Sequence, residues 1–276
     1  MYYKEEVYKN MKNNLTKQKI IESLESTGHY KKGEVHNIDI IEGETLITGC
    51  NSCGKCCRDR QDILLKVGDI YNICKKLKIT AEELLTKYCN VYVGHMSHMP
   101  IVSIKFRGNV FDDSTVCPFL KKVGENTYHC RIHSHKPNVC RIYPLGRIGV
   151  KDIGSDEDKF VYIHQNTTCV PKEQQREYTF NEWLGEDYKI HEDFFREFNK
   201  LVSYVHEKIE LEKLMKETEK RGQKDTAFSF LLATLYIPKK DLSIGEAIEE
   251  YKTRKALIDA FASALKEIGY KSCIKK

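Results

Sequence analysis

Apolar side chains recur every three or four positions over the last third of the chain. One such face runs through residues 190–209, and the same spacing returns over 226–235 and 248–268. This is the period of an amphipathic helix. Ser243 with Glu246 three residues later fits a capping box, a helix-start signal. The pattern predicts a helical C-terminal segment.

The same spacing predicts helices nearer the N-terminus. Residues 3–26 form a moderately amphipathic, basic stretch that ends at Gly28, where a helix would stop. Residues 67–76 and 80–88 are also helical in pattern. Thr80 begins a Thr-x-x-Glu capping box, so we expect the third of these helices to start there.

Shorter alternating or turn-bounded stretches predict strands. Residues 35–48 hold two apolar stretches around a Glu-Gly-Glu turn, which predicts a hairpin leading into a cysteine-rich loop. A Gly-Glu-Asn turn between Cys117 and Cys130 predicts a second hairpin with a cysteine near each end. The apolar pattern also predicts strands over residues 100–106 and 159–164. The fold class expected is α+β: a small cysteine-rich metal-binding domain followed by the helical segment.

Composition narrows the class of protein. The 276 residues are 41% hydrophobic and 31% charged, values typical of a folded globular chain. No run of about 18 apolar residues is present, so no membrane partner is expected. The first twelve residues carry five charged side chains and lack the apolar core of a secretory signal, so a cytoplasmic location is predicted. A net charge of +5 without a basic stripe makes nucleic acid an unlikely partner.

Eleven cysteines change this picture. Nine of them lie between residues 50 and 140, and four lie within eight residues. In a reducing compartment, thiols at this density are metal ligands more often than disulfides. We expect Cys74, Cys89 and Cys273 to be ordinary buried thiols, because the first two lie among apolar helical positions and the third lies far along the chain.

The densest group has the spacing C-x2-C-x2-C-C over residues 50–57. Two residues between thiolates allow one turn to direct both sulfurs to a metal, and Gly54 gives that turn backbone freedom. The spacing repeats that of a bacterial ferredoxin loop, in which a further cysteine is followed by proline. Cys117-Pro118 is the one Cys-Pro pair of the chain. The C-x3-C-x2-C order of radical S-adenosylmethionine enzymes is absent.

Cys56 and Cys57 are adjacent. Neighbouring side chains of an extended segment point to opposite sides. We therefore expect the two thiols to have different roles, one as a ligand and the other as a ligand of a second metal or as a free or substrate-facing thiol.

These motifs resemble the YkgJ-type cysteine-cluster family, whose CxxCxxCC domain is regarded as zinc- or iron-chelating and whose members are often described as iron-sulfur-containing proteins. The resemblance covers about residues 46–187. It rests on the 50–57 motif, the 67–88 stretch, Cys117-Pro118-Phe119-Leu120, Cys130-Arg131-Ile132, residues 136–144, Cys169 and residues 179–184. The chain departs from the family pattern in two places, with His133 for a tyrosine and Lys136 for an arginine.

The resemblance implies a set of metal ligands and a cofactor. The ligand candidates are the eight cysteines that match the family, Cys50, Cys53, Cys56, Cys57, Cys117, Cys130, Cys140 and Cys169. An iron-sulfur cluster, most simply 4Fe-4S, is the expected cofactor, and zinc is the alternative. His133 and His135, between two of these cysteines, are weaker ligand candidates.

Two functions remain open. In the first, the chain is an iron-sulfur protein, and the expected activity is that of an oxidoreductase or modifying enzyme. Its substrate would be a protein, a peptide or a small molecule. Alternatively it is a zinc module whose four-cysteine sites fold a small domain for interaction with a partner. The catalytic residues are unknown. The expected organisation is an N-terminal helix and hairpin over 1–45, the cysteine-cluster domain over 46–187 and the helical segment over 188–276.

Overall fold

The computed structural model describes residues 39–40, 45–60, 63–108, 114–151, 158–164 and 170–275, with the single helical residues Gln18 and Glu22. The helix predicted over residues 3–26 otherwise lies outside the described residues.

Nine α-helices are found in the described part of the chain. They are α1 (Val67–Leu77), α2 (Ala81–Tyr88), α3 (Asn138–Ile142), α4 (Phe180–Leu184), α5 (Tyr188–Lys208), α6 (Leu211–Lys220), α7 (Lys224–Tyr236), α8 (Ile244–Lys252) and α9 (Lys255–Glu267). Short 3-10 turns add Lys55–Cys57, His133–His135, Lys172–Gln174 and Lys271–Cys273.

The strands are short and form five small antiparallel sheets. They are β1 (Asp39–Ile40), β2 (Thr45–Thr48), β3 (Cys89–Val93), β4 (Pro100–Ile104), β5 (Arg107–Gly108), β6 (Thr115–Val116), β7 (Leu120–Lys122), β8 (Tyr128–Cys130), β9 (Leu145–Lys151), β10 (Asp158–His164) and β11 (Arg176–Thr179). The pairings are β1-β10-β9, β11-β2, β3-β4, β5-β6 and β7-β8. The α+β class with a helical C-terminal segment is confirmed.

The chain divides into two compact units. The smaller contains residues 1–49 and 142–183, and the larger contains residues 50–141 and 184–276. The smaller unit includes the β1-β10-β9 and β2-β11 sheets. The larger includes the cysteine-rich loop and most of the helices. The predicted division at residues 46 and 187 stays a prediction.

The core of the larger unit is built around α5. Its apolar face, predicted from the sequence, buries Phe194, Phe198 and Val205. The ring of Phe194 contacts Tyr251 of α8 at 5.7 Å between centroids, and Phe198 contacts Tyr236 of α7 at 5.3 Å. Such edge-to-face contacts stabilise packed aromatic side chains beyond the area that they bury. The helical segment thus shares one core with the cysteine-bearing region.

The helix starts follow the predicted local signals. Thr80 accepts a hydrogen bond from the Glu83 backbone N–H at 3.1 Å, and Glu83 accepts one from the Thr80 N–H at 3.0 Å. Ser243 and Glu246 form the same reciprocal box at the start of α8. The stretch 248–268 is divided between α8 and α9.

The hairpin predicted over residues 35–48 is wrong. β1 pairs with β10, and β2 pairs with β11, in separate sheets. Both partners lie more than a hundred residues further along the chain, so a local turn signal could not identify them. The hairpin around the Gly-Glu-Asn turn is confirmed as β7-β8. No helix in the described ranges is long and apolar enough to cross a membrane.

Candidate metal centre

The cysteine-rich loop turns sharply at Gly54. This residue has a φ of 70°, in the left-handed region, and Cys57 donates a backbone hydrogen bond to the Gly54 carbonyl at 3.0 Å. A Cβ at Gly54 would lie 3.0 Å from the Tyr128 ring. The Tyr128 backbone N–H donates to the Ser52 carbonyl at 2.8 Å. Only glycine combines this conformation with so close an approach of β8.

Backbone contacts join the loop to the segment that carries Cys117. The Cys117 N–H donates to the Cys57 carbonyl at 2.9 Å. Asp59 pairs with Thr115 twice, through its N–H to the Thr115 carbonyl and its carboxylate to the Thr115 N–H. These contacts hold Cys117 next to the end of the C-x2-C-x2-C-C motif.

The β7-β8 hairpin places the next cysteine beside Cys117. Cys130 is the last residue of β8 and lies opposite Leu120. Leu120 donates to the Cys117 carbonyl at 3.0 Å, so the hairpin begins directly at Cys117. The two cysteines lie near the ends of the paired strands, as the turn signal indicated.

Cys140 comes from α3. Asp69 of α1 accepts the Asn138 N–H at 2.7 Å and so fixes the start of this short helix. Cys140 donates to the Pro137 carbonyl at 2.9 Å. The thiol of Cys140 interacts electrostatically with those of Cys117 and Cys130.

Five thiols from four separate segments therefore face a common region, which we call the thiol group. Its members are Cys56, Cys57, Cys117, Cys130 and Cys140. Burial raises the pKa of Cys117 to about 11 and also raises those of Cys130 and Cys140. These thiols are hard to ionise without a compensating positive charge, which a bound metal would supply.

The pKa values of Cys56 and Cys57 shift in opposite directions. Their sulfurs lie 3.9 Å apart. A hydrogen bond from Cys57 lowers the pKa of Cys56 to about 6, with help from the positive charges of Lys136 and Arg60. The same hydrogen bond raises the pKa of Cys57. The pair is therefore poised as one thiolate and one thiol.

The expectation that these two side chains point to opposite sides is wrong. Lys55–Cys57 forms a 3-10 turn, not an extended segment, so adjacent side chains stay on neighbouring sides. Whether the two cysteines have different roles stays a prediction.

The other candidate ligands lie elsewhere. Cys50 is exposed and Cys53 is half-buried, both on the same loop as the pair. Cys169 lies outside the described residues. His133 and His135 form a short 3-10 turn between Cys130 and α3, and burial lowers the pKa of both.

Cys74, Cys89 and Cys273 do not belong to the thiol group. Cys74 lies in α1 and Cys89 starts β3. Burial raises the pKa of Cys74 to about 11 and that of Cys89 to about 12. Cys273 is fully buried against the helical core.

The donor set suits a soft metal. Thiolates favour zinc and iron-sulfur clusters over magnesium or calcium. Within the described ranges, no three His, Cys, Asp or Glu side chains are close enough to hold a single metal ion. In the described residues, the five sulfurs of the thiol group therefore do not form the ligand shell of a single ion.

Sequence reasoning missed the polar groups beside the thiols. Arg141 donates to the Asp187 carboxylate at 3.0 Å, Asp187 bonds His191 at 2.8 Å, and His191 bonds Asn72 at 3.2 Å. Only the i, i+4 spacing of Asp187 and His191 was visible in the sequence. The remaining contacts join residues more than forty positions apart.

One family model matches the chain. Residues 49–185 match the family described as "CxxCxxCC: Putative zinc- or iron-chelating domain". No curated protein matches the chain. No solved structure matches it. The matched range contains all eight candidate cysteines, including the thiol group. Over residues 49–185, just under half of its length, the chain is therefore similar to the family that this description names.

Proposed function

We propose that the chain is an iron-sulfur protein whose cysteines hold a 4Fe-4S cluster. The observation that carries the proposal is the convergence of Cys56, Cys57, Cys117, Cys130 and Cys140 from four segments of one compact unit. Cys50 and Cys53 lie on the same loop and complete the loop spacing of a ferredoxin. Such a cluster supplies one-electron transfer when bound.

The spread of the thiols favours a cluster over a single zinc ion. Four sulfurs bound to one zinc at about 2.3 Å must lie within roughly 4 Å of one another. Cys56 and Cys57 meet that limit, but no group of three does within the described residues. A cluster of several iron atoms is larger and spans more widely separated thiolates.

The protein contributes positive charge near the ligand sulfurs and backbone hydrogen bonds that hold the ligand loop. Lys136 and Arg60 place positive charge near the Cys56 sulfur, which stabilises a thiolate there. The backbone contacts of Gly54, Cys57 and Cys117 hold the ligand loop in one conformation. We propose that the centre serves an oxidoreductase or modifying enzyme of the cytoplasm, acting on a protein, peptide or small molecule.

The test is the visible spectrum of the protein purified without oxygen. An iron-sulfur protein is brown and loses part of its visible absorption on chemical reduction, whereas zinc, a d10 ion, gives no colour. A colourless protein that contains stoichiometric zinc would replace the proposal with the zinc module.

A further inference from the structure

A small polar depression lies on the larger unit beside the thiol group. It is bounded by the start of α1, by the turn that precedes α3 and by α5. The depression encloses about 300 Å³ including its open mouth, while the space open to a water-sized sphere is about 10 Å³. That space is enough for about one oxygen-sized atom.

The walls are rich in positive charge. Lys66, Lys136 and Arg141 line the depression, and Asp69 is the one carboxylate among its lining residues. Both Asp69 oxygens are already used, one by the Lys66 N–H at 2.9 Å and the other by the Asn138 N–H at 2.7 Å. The lining side chains therefore carry three positive charges against one negative, and Asp187, outside the lining, pairs with Arg141 at 3.0 Å.

Two of these cations have hydrogen-bond donors that no described residue accepts. Lys136 is half-buried, yet it makes no hydrogen bond or carboxylate ion pair with any residue that the structure describes. Arg141 is 7% exposed and donates through Nη1 to Leu184 and Asp187 and through Nη2, at 3.4 Å, to Ser134. Its Nε has no acceptor within the described ranges. No buried side-chain nitrogen or oxygen of the described residues lacks a partner, so these donors reach solvent. An acceptor from outside the chain can therefore bind them without displacing a protein partner.

The depression is next to the thiols. Arg141 directly follows Cys140 in α3. Lys136 is close enough to Cys56 and Cys130 to interact electrostatically with both sulfurs. An anion held by Lys136 and Arg141 would therefore lie at the edge of the thiol group.

We propose that this depression is an oxyanion subsite that receives a carboxylate or phosphate group of the substrate next to the metal centre. One anionic oxygen enters this space, and the rest of the molecule stays in the open mouth. The position beside a redox centre rests on the proposed function, whereas anion binding itself does not.

The experiment is calorimetric titration of the purified holo-protein with inorganic phosphate and, separately, with acetate, at an ionic strength held constant with chloride. We expect saturable binding of at least one anion. Phosphate alone would indicate a phosphorylated substrate, and acetate alone a carboxylate. Lys136→Gln should weaken binding about tenfold, the effect of losing one charge-assisted hydrogen bond. Lys136→Arg should restore most of it.

Lys122→Gln is the matched control. It removes the same charge from an exposed position in β7, and it should leave anion affinity within about twofold. Metal content is measured for each variant, and each anion affinity is expressed per metal-loaded chain.

The proposal is overturned if neither anion saturates the wild-type protein or if Lys122→Gln weakens binding as much as Lys136→Gln. It is also overturned if Lys136→Gln binds both anions as tightly as the wild-type protein does. A zinc-containing wild-type protein that still loses phosphate affinity in Lys136→Gln would refute the iron-sulfur cluster and leave the subsite standing.

Discussion

At the scale of single residues, Gly54 determines the shape of the ligand loop. We predict that Gly54→Ala lowers the free energy of unfolding by about 1–2 kcal/mol from the left-handed backbone, and by more because the new Cβ would meet Tyr128. The displaced loop should also lower metal content. Chemical denaturation and metal analysis measure the two effects.

Gly222→Ala is the control for this substitution. Gly222 has a similar φ of 68°, but a Cβ there meets no heavy atom within 4 Å. It should show the backbone cost alone and keep its metal. Equal metal content in both variants would mean that the Gly54 turn does not shape the site.

The Cys56–Cys57 pair predicts selective reactivity in metal-free protein. Because the pKa of Cys56 is lowered to about 6, we expect iodoacetamide at pH 7 to label Cys56 roughly tenfold faster than Cys57. Cys57→Ala removes the hydrogen bond that lowers this pKa and should slow labelling of Cys56, whereas Cys57→Ser keeps a donor. Peptide mass spectrometry reports each rate. Equal labelling of the two thiols would contradict the prediction.

Cys53 and Cys273 separate ligand loss from simple destabilisation. Cys53→Ser should lose metal and soluble protein together, since a ligand in a metal-stapled region also supports folding. Cys273→Ser places a hydroxyl in the buried core and should cost about 1 kcal/mol, yet it should leave metal content unchanged. Unaltered metal in Cys53→Ser would remove that residue from the ligand set.

At the scale of elements, the Arg141–Asp187–His191–Asn72 network ties α3 to α5 and α1. Burial lowers the pKa of His191, helped by the charge of Arg141, so the folded protein holds this imidazole neutral. The unfolded chain binds a proton near pH 6.5, and the folded state does not. The free energy of unfolding should therefore fall as the pH drops from about 7 to about 5.

His191→Gln removes this proton uptake by the unfolded chain. The variant should lose less stability than the wild type over the same pH range, as measured by denaturation at each pH. Protonation of the metal ligands contributes equally to both proteins and cancels in the comparison. Parallel pH profiles would show that His191 does not cause the acid sensitivity.

Elements set by local signals could be predicted from the sequence. The α2 and α8 starts depend on residues three positions apart, and the β7-β8 turn depends on three consecutive residues. The pairing of β1 with β10 and of β2 with β11 depends on residues more than a hundred positions away. The local turn signal at residues 42–44 therefore predicted a hairpin that does not form. The polar depression around Lys136 and Arg141 was likewise invisible, because α1, α3 and α5 create it only when packed.

At the scale of the whole molecule, the larger unit consists of two stretches of sequence that residues 142–183 of the smaller unit separate. Residues 50–141 and 184–276 share one core, so α5 and α8 pack with the helices that support the thiol group. A division of the sequence into consecutive segments could not predict a unit made of two separated stretches. The C-terminal helices therefore support the candidate centre through the core that they share with it.

The most direct test of the central claim is a count of iron, acid-labile sulfide and zinc per chain in anaerobically purified protein. A 4Fe-4S centre predicts about four iron atoms and about four sulfides, with zinc near zero. One or two zinc ions per chain with no sulfide would contradict the account.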